Sequence, residues 1–292
     1  MSQDYDLIVV GSGAGGLFTA VKAADAGLKV LLLEKDPQFF GGTSAYSGGV
    51  LWVPCNDDMA RVGIKDELAT AYAYVKRCVR GMGSDERVLA YVETANTMVQ
   101  CLAKMGVGYA SLARYPDYYQ DIEGSIKGGR SMDPLPFDAA KLGLDGLRVL
   151  RDGNKTALVL GHICVSAAEA GKVVRRERGG MAMMLKIMAR YYLNLPWRLR
   201  TKRDKRLCGG QALVAGLLAA ARARKNITLQ LGAPLPSLLV EEGRVVGVNY
   251  SLSGSAQSAR SQFVMLAAGG FEQNQALREQ YLPQPTNTRW SH

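Results

Sequence analysis

Six residues near the start, Gly11-Ser12-Gly13-Ala14-Gly15-Gly16, follow the spacing G-x-G-x-x-G. A glycine at the first position permits a tight turn. At the second it lets backbone approach a diphosphate, and at the third it lets a helix pack closely on a strand. A diphosphate held there would sit at a helix N-terminus, where unpaired N–H groups and the helix dipole favour negative charge. Glu34 lies 18 residues beyond Gly16, placed to accept hydrogen bonds from ribose hydroxyls and to repel a 2′-phosphate. Either feature alone is consistent with a structural turn and a solvated charge. Together they point to a dinucleotide without a 2′-phosphate.

A second glycine cluster, Gly41-Gly42-Thr43-Ser44-Ala45-Tyr46-Ser47-Gly48-Gly49, follows Glu34-Lys35 after a short gap. It would set exposed N–H groups and hydroxyls along a pyrophosphate and a flavin ring; a flexible loop is the bland alternative. A third cluster, Ala268-Gly269-Gly270, ends another apolar run and would return the chain to the same ligand edge. Three such clusters favour FAD, bound non-covalently, over NAD. The candidate cofactor residues are therefore Gly11, Ser12, Gly13, Ala14, Gly15, Gly16, Glu34, Lys35, Gly41, Gly42, Thr43, Ser44, Ser47, Gly48, Gly49, Ala268, Gly269 and Gly270.

The elements that must position these residues follow from the apolar pattern. Residues 6–10 read as a buried parallel strand, 15–26 as a small-residue helix packed on it, and 28–33 as a second buried strand: one βαβ unit. Residues 58–107 read as mainly helical, with a helix start at Ser84. Residues 109–138, rich in Tyr, Pro, Asp and Gly, read as an irregular loop. An Ala/Leu-rich helix is expected over 211–224. Strands are expected over 226–252, with a hairpin turn at Glu241-Glu242-Gly243-Arg244, and another buried strand over 263–268. The fold class is α/β, a Rossmann-like FAD-binding domain with a parallel sheet, a β-hairpin or meander and a helical basic insert.

Composition excludes several other classes. The 292 residues carry a net charge of +10, but 172–206 hold 12 of the 36 basic residues and only Glu177 and Asp204 as acids. The remainder is neutral, so basicity belongs to one segment, and no nucleic-acid-reading fold accompanies it. Residues 181–197 are apolar apart from Lys186, Arg190 and Asn194, and cations flank them on both sides. Such a segment fits an interfacial anchor on anionic lipid. It equally fits a helix that covers the core with a solvated basic rim. Five cysteines, with no C-x-x-C, argue against a disulfide framework or zinc knuckle and for a reducing cytoplasm. The start shows no signal-peptide pattern. With only His162 and His292, no histidine metal site or triad is expected.

Several of these stretches together resemble a known family. Gly11 to Gly16, Glu34-Lys35, residues 42–48, Gly243-Arg244-Val245-Val246-Gly247 and Ala268-Gly269-Gly270-Phe271-Glu272 resemble the FAD domain of the fumarate reductase and ketosteroid dehydrogenase flavoproteins. Trp52-Val53-Pro54, Tyr115-Pro116-Asp117-Tyr118-Tyr119 and Gly129-Arg130-Ser131 are most similar to 3-ketosteroid Δ1-dehydrogenases. That resemblance implies a 3-oxosteroid stacked on the flavin, its ketone polarised. A tyrosinate removes the C2 proton, hydride passes from C1 to flavin N5, and an external acceptor takes the electrons. The position matching Tyr118 supports the tyrosinate by hydrogen bonding; a packing role in an aromatic loop is the alternative. An enoate or fumarate-type reductase is the second enzyme reading, and a catalytically incomplete flavin-binding fragment is the third.

The expected organisation is a first FAD-binding segment over 1–139, a basic amphipathic insert over 140–206 and a second FAD-binding segment over 207–278. Residues 279–292 read as the start of a substrate domain. The base tyrosine and ketone-polarising residues of the family have no counterpart, so a truncated or split member is expected.

Overall fold

The computed structural model describes residues 4–235 and 237–291. The chain begins with β1 (Tyr5–Val10), α1 (Ala14–Asp25), β2 (Val30–Leu33) and α2 (Gly42–Tyr46). It continues with β3 (Leu51–Trp52), α3 (Leu68–Val79), α4 (Asp85–Lys104), β4 (Tyr109–Ser111), β5 (Ser131–Pro134), β6 (Phe137–Asp138) and α5 (Gly143–Arg148). Next come α6 (Ala167–Val174), α7 (Gly180–Leu193), α8 (Leu195–Arg198), β7 (Arg206–Leu207) and α9 (Gly209–Arg222). Last are β8 (Ile227–Gln230), β9 (Ser237–Glu241), β10 (Arg244–Leu252), β11 (Ser255–Leu266) and α10 (Gln275–Tyr281).

The chain divides into two compact units. The first takes residues up to Ser47, Lys141–Gly153 and everything from Leu217 onward. The second takes Gly48–Ala140 and Asn154–Gly216. This division cuts across the expected segments 1–139, 140–206, 207–278 and 279–292. The expected boundaries followed charge and composition, whereas packing groups residues 48–139 with α6 to α8.

A six-stranded sheet, ordered β8-β2-β1-β11-β10-β9, forms the first unit. The strands β8, β2, β1 and β11 are parallel. Strands parallel to their neighbours need both faces covered, which is why β1 and β2 are nearly continuous apolar runs with Ile8, Val9 and Leu32 wholly buried. The face of α1 that packs on β1, β2 and β8 is built from Gly16, Leu17, Ala20, Val21 and Ala24, small enough for close approach. The expected hairpin joins β9 to β10. Its turn residues Glu242 and Gly243 both have positive φ, the primed geometry that matches strand twist. The last strand, expected to be buried over 263–268, instead runs from Ser255 to Leu266, and Phe263, Met265 and Leu266 are exposed. Its first half pairs antiparallel with β10 and its second half parallel with β1, so one strand serves two partners.

The second unit holds an antiparallel three-stranded sheet, β3-β5-β4, a β6–β7 pair, and helices α3, α4 and α6 to α8. Ser84 caps α4 as expected, accepting from the Arg87 amide. The stretch expected as irregular, 109–138, contributes β4, β5 and β6. Strands of two to four residues held by distant partners leave no periodicity to read. In the basic segment, α7 sets Ile187 and Tyr191 against Ile163 in a small buried cluster. The opposite face of α7 leaves Met181 and Leu185 exposed, as are Leu193, Leu195 and Leu199 at its end and beyond. Thus α7 covers a core and still presents an apolar outer stripe. Among the described residues no helix is long and apolar enough to cross a membrane.

The two faces of α7 predict opposite mutational behaviour. Ile187→Ala should lose about 2–5 kcal/mol in a urea unfolding titration. Leu193→Ala, 78% exposed, should stay within about 0.5 kcal/mol of wild type. A large loss at Leu193 would contradict this orientation.

Candidate functional site

In the first unit, Gly11 to Gly16, the Gly41 to Ser47 part of the second cluster and the end of β11 come together. Gly11 follows β1 with φ +103°, and a Cβ there would collide with the carbonyl of Ala267 at the end of β11. A Cβ at Gly16 would collide with the Gly11 carbonyl, so α1 and β1 touch through bare backbone. Gly13 differs. Its φ of −62° suits any residue, and a Cβ would lie 3.4 Å from Ser44 Oγ, an ordinary contact. A Cβ on Gly15 would meet nothing within 4 Å. The backbone at Gly15 therefore faces open space at the N-terminus of α1, and Gly13 beside it has room for a Cβ only in contact with Ser44.

Polar bonds tie the second cluster to the first. The Ala14 amide donates to Ser44 Oγ at 3.0 Å, and the Gly41 amide donates to Ser12 Oγ at 2.9 Å. Ser12 is wholly buried; its amide donates to Glu34 Oε2 at 3.0 Å and its hydroxyl donates to the same oxygen. The Asp36 amide donates to Glu34 Oε1 at 3.0 Å. A carboxylate offers about four acceptor sites. Three are engaged by this chain, and Oε1 retains capacity for a further donor. The N-terminal end of α1, Glu34, Gly41 to Ser47 and the end of β11 thus form one cradle. Of the other expected residues, Lys35 and Thr43 are exposed, and Ala268, Gly269 and Gly270 are exposed beyond β11. Gly48 and Gly49 fall in the second unit. There a Cβ on Gly49 would press 2.6 Å from the Gly209–Gly210 backbone, so its bare backbone serves packing.

The aromatic loop lies in the second unit. Tyr118 is 80% exposed and meets Tyr115 edge-on, ring centroids 6.5 Å apart. A hydrogen bond with Tyr118, then burial, raises the Tyr115 phenol above its ordinary value. The residue before Tyr118 is held from below. Asp117 accepts from Trp52 Nε1 at 2.6 Å, from the Ile126 amide at 2.9 Å and from Arg130 Nη1 at 2.8 Å. Arg130 has no exposed side-chain surface, and its Nε and Nη2 also pair with Asp66 at 2.8 and 2.7 Å. Burial works to raise the Asp66 carboxyl. The Arg130 bonds and charge, with the Cys55 and Glu67 amides, outweigh it and hold the group below the usual carboxylate range. Isolated Asp66, Trp52 and Arg130 follow no spacing rule, so sequence reasoning missed this cluster except as part of a resemblance.

Other chemistry is disfavoured. Burial pushes the Cys164 thiol up to about 11, leaving it protonated at neutral pH and a poor nucleophile. Among the described residues no group of His, Cys, Asp and Glu could hold a metal ion.

A family model described as FAD binding domain matches residues 6–290. The 3-oxosteroid 1-dehydrogenase of Comamonas testosteroni is 49% identical over 97% of this chain and 50% of its own length. That of Mycobacterium tuberculosis is 34% identical over 99% of this chain and 51% of its own length. Among solved structures, 3-ketosteroid Δ1-dehydrogenase from Sterolibacterium denitrificans, in complex with 1,4-androstadiene-3,17-dione, superposes with a TM-score of 0.93. It is 43% identical, over 98% of this chain and 51% of that one. The chain spans about half the length of the curated relatives it matches.

The Asp66–Arg130 pair makes stability depend on acid. The folded chain holds this carboxyl below its unfolded value, about 3.9. Its contribution is therefore whole above that value and fades as pH falls through the folded one. Melting temperature should drop below about pH 4. Asp66→Asn should flatten that limb and lose about 3–5 kcal/mol at neutral pH, because Arg130 is left buried with one partner fewer. An unchanged acid limb in the variant would contradict the assignment.

Proposed function

Because the chain belongs to the FAD binding domain family, we propose that its first unit holds FAD non-covalently as the flavin-binding part of a dehydrogenase acting on 3-oxosteroids at C1–C2. The observation that carries the reading is the cradle itself. Bare backbone at Gly13, against Ser44, and open backbone at Gly15 sit where a diphosphate would approach the start of α1. The N–H groups in the first turn of α1 suit the pyrophosphate. The remaining acceptor capacity of Glu34 suits a ribose hydroxyl, and a carboxylate there disfavours a 2′-phosphate. When bound, FAD supplies an acceptor for hydride leaving carbon 1.

The substrate class rests on the sequence likeness to 3-oxosteroid 1-dehydrogenases. Polarising a 3-ketone acidifies the neighbouring carbon, and a phenol of ordinary pKa near ~10 needs support to take its proton at neutral pH. Tyr118, exposed and edge-on to Tyr115, is the side chain of this loop that supplies such support. Electrons then pass to an external acceptor.

A second reading concerns α7 and α8. Met181, Leu185, Leu193, Leu195 and Leu199 are exposed apolar side chains, and Arg176, Arg178, Lys186 and Arg200 are exposed cations around them. We propose that this face rests peripherally on an anionic lipid surface, where each nearby cation adds about 1 kcal/mol. A sterol dissolved in lipid would be delivered there.

Three outcomes are expected. The purified chain mixed with FAD shows a flavin absorption band, and a 3-oxosteroid bleaches it anaerobically but slowly, since the chain spans about half the length of the relatives it matches. Gly13→Val folds, because its φ is ordinary, but no longer retains FAD; wild-type affinity in that variant sinks the cradle reading. Reoxidation of reduced flavin by an enoate, with no bleaching by steroid, would favour the reductase direction instead. Finally, the chain co-sediments with anionic vesicles, and Leu193→Glu with Leu195→Glu abolishes this; equal sedimentation of that double variant rejects the lipid-facing surface.

A further inference from the structure

The backbone of the aromatic loop is fixed on both sides of Tyr118 while the Tyr118 side chain stays exposed. On one side, Asp117 carries three bonds to its carboxylate, from Arg130, Trp52 and the Ile126 amide. Its amide also donates to the Ile126 carbonyl at 3.0 Å. On the other side, the Tyr119 amide donates to the hydroxyl of Tyr74 at 3.2 Å. The two rings that make these bonds, Trp52 and Tyr74, stack on each other with centroids 5.8 Å apart. The Arg130 guanidinium lies 5.3 Å from the Trp52 centroid and 5.6 Å from that of Tyr74. One buried side chain therefore bonds one anchor directly and braces the rings that make or support both.

Its own position is over-determined. Asp66 takes two of its donors, Asp117 a third, and the Gly124 carbonyl a further bond at 2.8 Å, within the same loop. Taking an arginine and two carboxylates out of water is costly, a cost an apolar core of the same size would avoid. A planar fork on two aromatic faces fixes direction in a way that neither an apolar side chain nor a lysine can. We infer that Arg130 is a positioning residue for Tyr118, acting through Asp117 and the Trp52–Tyr74 stack to preset the direction of an exposed phenol. Tyr118 is thereby oriented before any substrate arrives.

This inference rests on the proposed role of Tyr118, and its test has one readout that needs no turnover. In the full chain, 3-fluorotyrosine replaces Tyr118, and in a separate sample Tyr250 of the first unit as a control. Fluorine NMR should give one resonance at 118 in wild type. In Arg130→Lys, which keeps the charge and loses the fork, the single resonance should split or shift while the 250 signal stays put. Trp52→Phe, which removes the Nε1 bond and keeps a ring, should shift it in the same sense, and decides the matter where Arg130→Lys does not fold. A resonance at 118 unchanged in a folded variant overturns the proposal. In dye-linked oxidation of a 3-oxosteroid, Arg130→Lys should lower kcat on the order of 100-fold with KM near wild type. Loss confined to KM also overturns it. A wild-type chain that never bleaches with steroid, yet shows the fluorine shift, rejects the proposed reaction and leaves the positioning intact.

Discussion

The cradle depends on one close approach, the turn at Gly11 against the carbonyl of Ala267. A side chain at that turn would push β1 and β11 apart at their ends, and the two strands are hydrogen-bonded neighbours in the sheet. With the strands in contact, the Ala267 amide bonds the Val10 carbonyl and the Gly11 amide bonds the Leu33 carbonyl, so β2 ends level with them. Glu34, the residue after β2, then arrives beside Ser12 without any further device. The approach of Gly16 to the Gly11 carbonyl sets the start of α1 at the same place. The proposed dinucleotide site thus follows from backbone contacts that only a missing Cβ allows.

Ser12 converts that backbone geometry into a polar one. Its hydroxyl donates to the Glu34 carboxylate and accepts from the Gly41 amide, so one buried oxygen couples the acid to the second glycine cluster. Buried polar atoms that are fully bonded rigidify a site, and the same atoms cost about 1–3 kcal/mol each when a partner is lost. The unit's charged acceptor is therefore aimed by neighbours on two different segments. In the proposed site, discrimination against a 2′-phosphate would rest on that aim as much as on the charge.

Much of this was legible in the sequence, for a definite reason. Glycine spacing, a buried apolar run and an acid after the second strand are local patterns, and local patterns decide β1, α1, β2 and the β9–β10 hairpin. The Ser12 bridge was not legible, because the middle position of G-x-G tolerates many residues and only the fold shows which side chain lies beneath it. The assignment of Gly49 to the cradle failed to anticipate its packing on Gly209–Gly210, a contact between residues 160 apart in sequence. The short strands β4 to β6 escaped for the same reason: their partners are distant and their lengths too small for a period to register. Asp66, Asp117 and Arg130 show no spacing at all. Charge that is buried by tertiary contacts looks, in sequence, like charge on a surface.

The two kinds of holding suit different tasks. A diphosphate is large, multiply charged and unchanging through a reaction. A rigid row of backbone N–H groups at a helix start fits it, and side chains would only obstruct. A phenol that supports proton transfer must be exposed to reach substrate yet point one way, and exposed side chains sample several rotamers. If Tyr118 has the proposed role, the second unit resolves that conflict by spending its order on the backbone around Tyr118 instead of on Tyr118 itself. Two carboxylates, one guanidinium and two stacked rings fix the residues on either side, and in the proposed arrangement the phenol takes its direction from them. The expensive burial of Arg130 then has a physical purpose that an apolar plug could not serve, because dispersion contacts hold a volume in place but do not hold an angle.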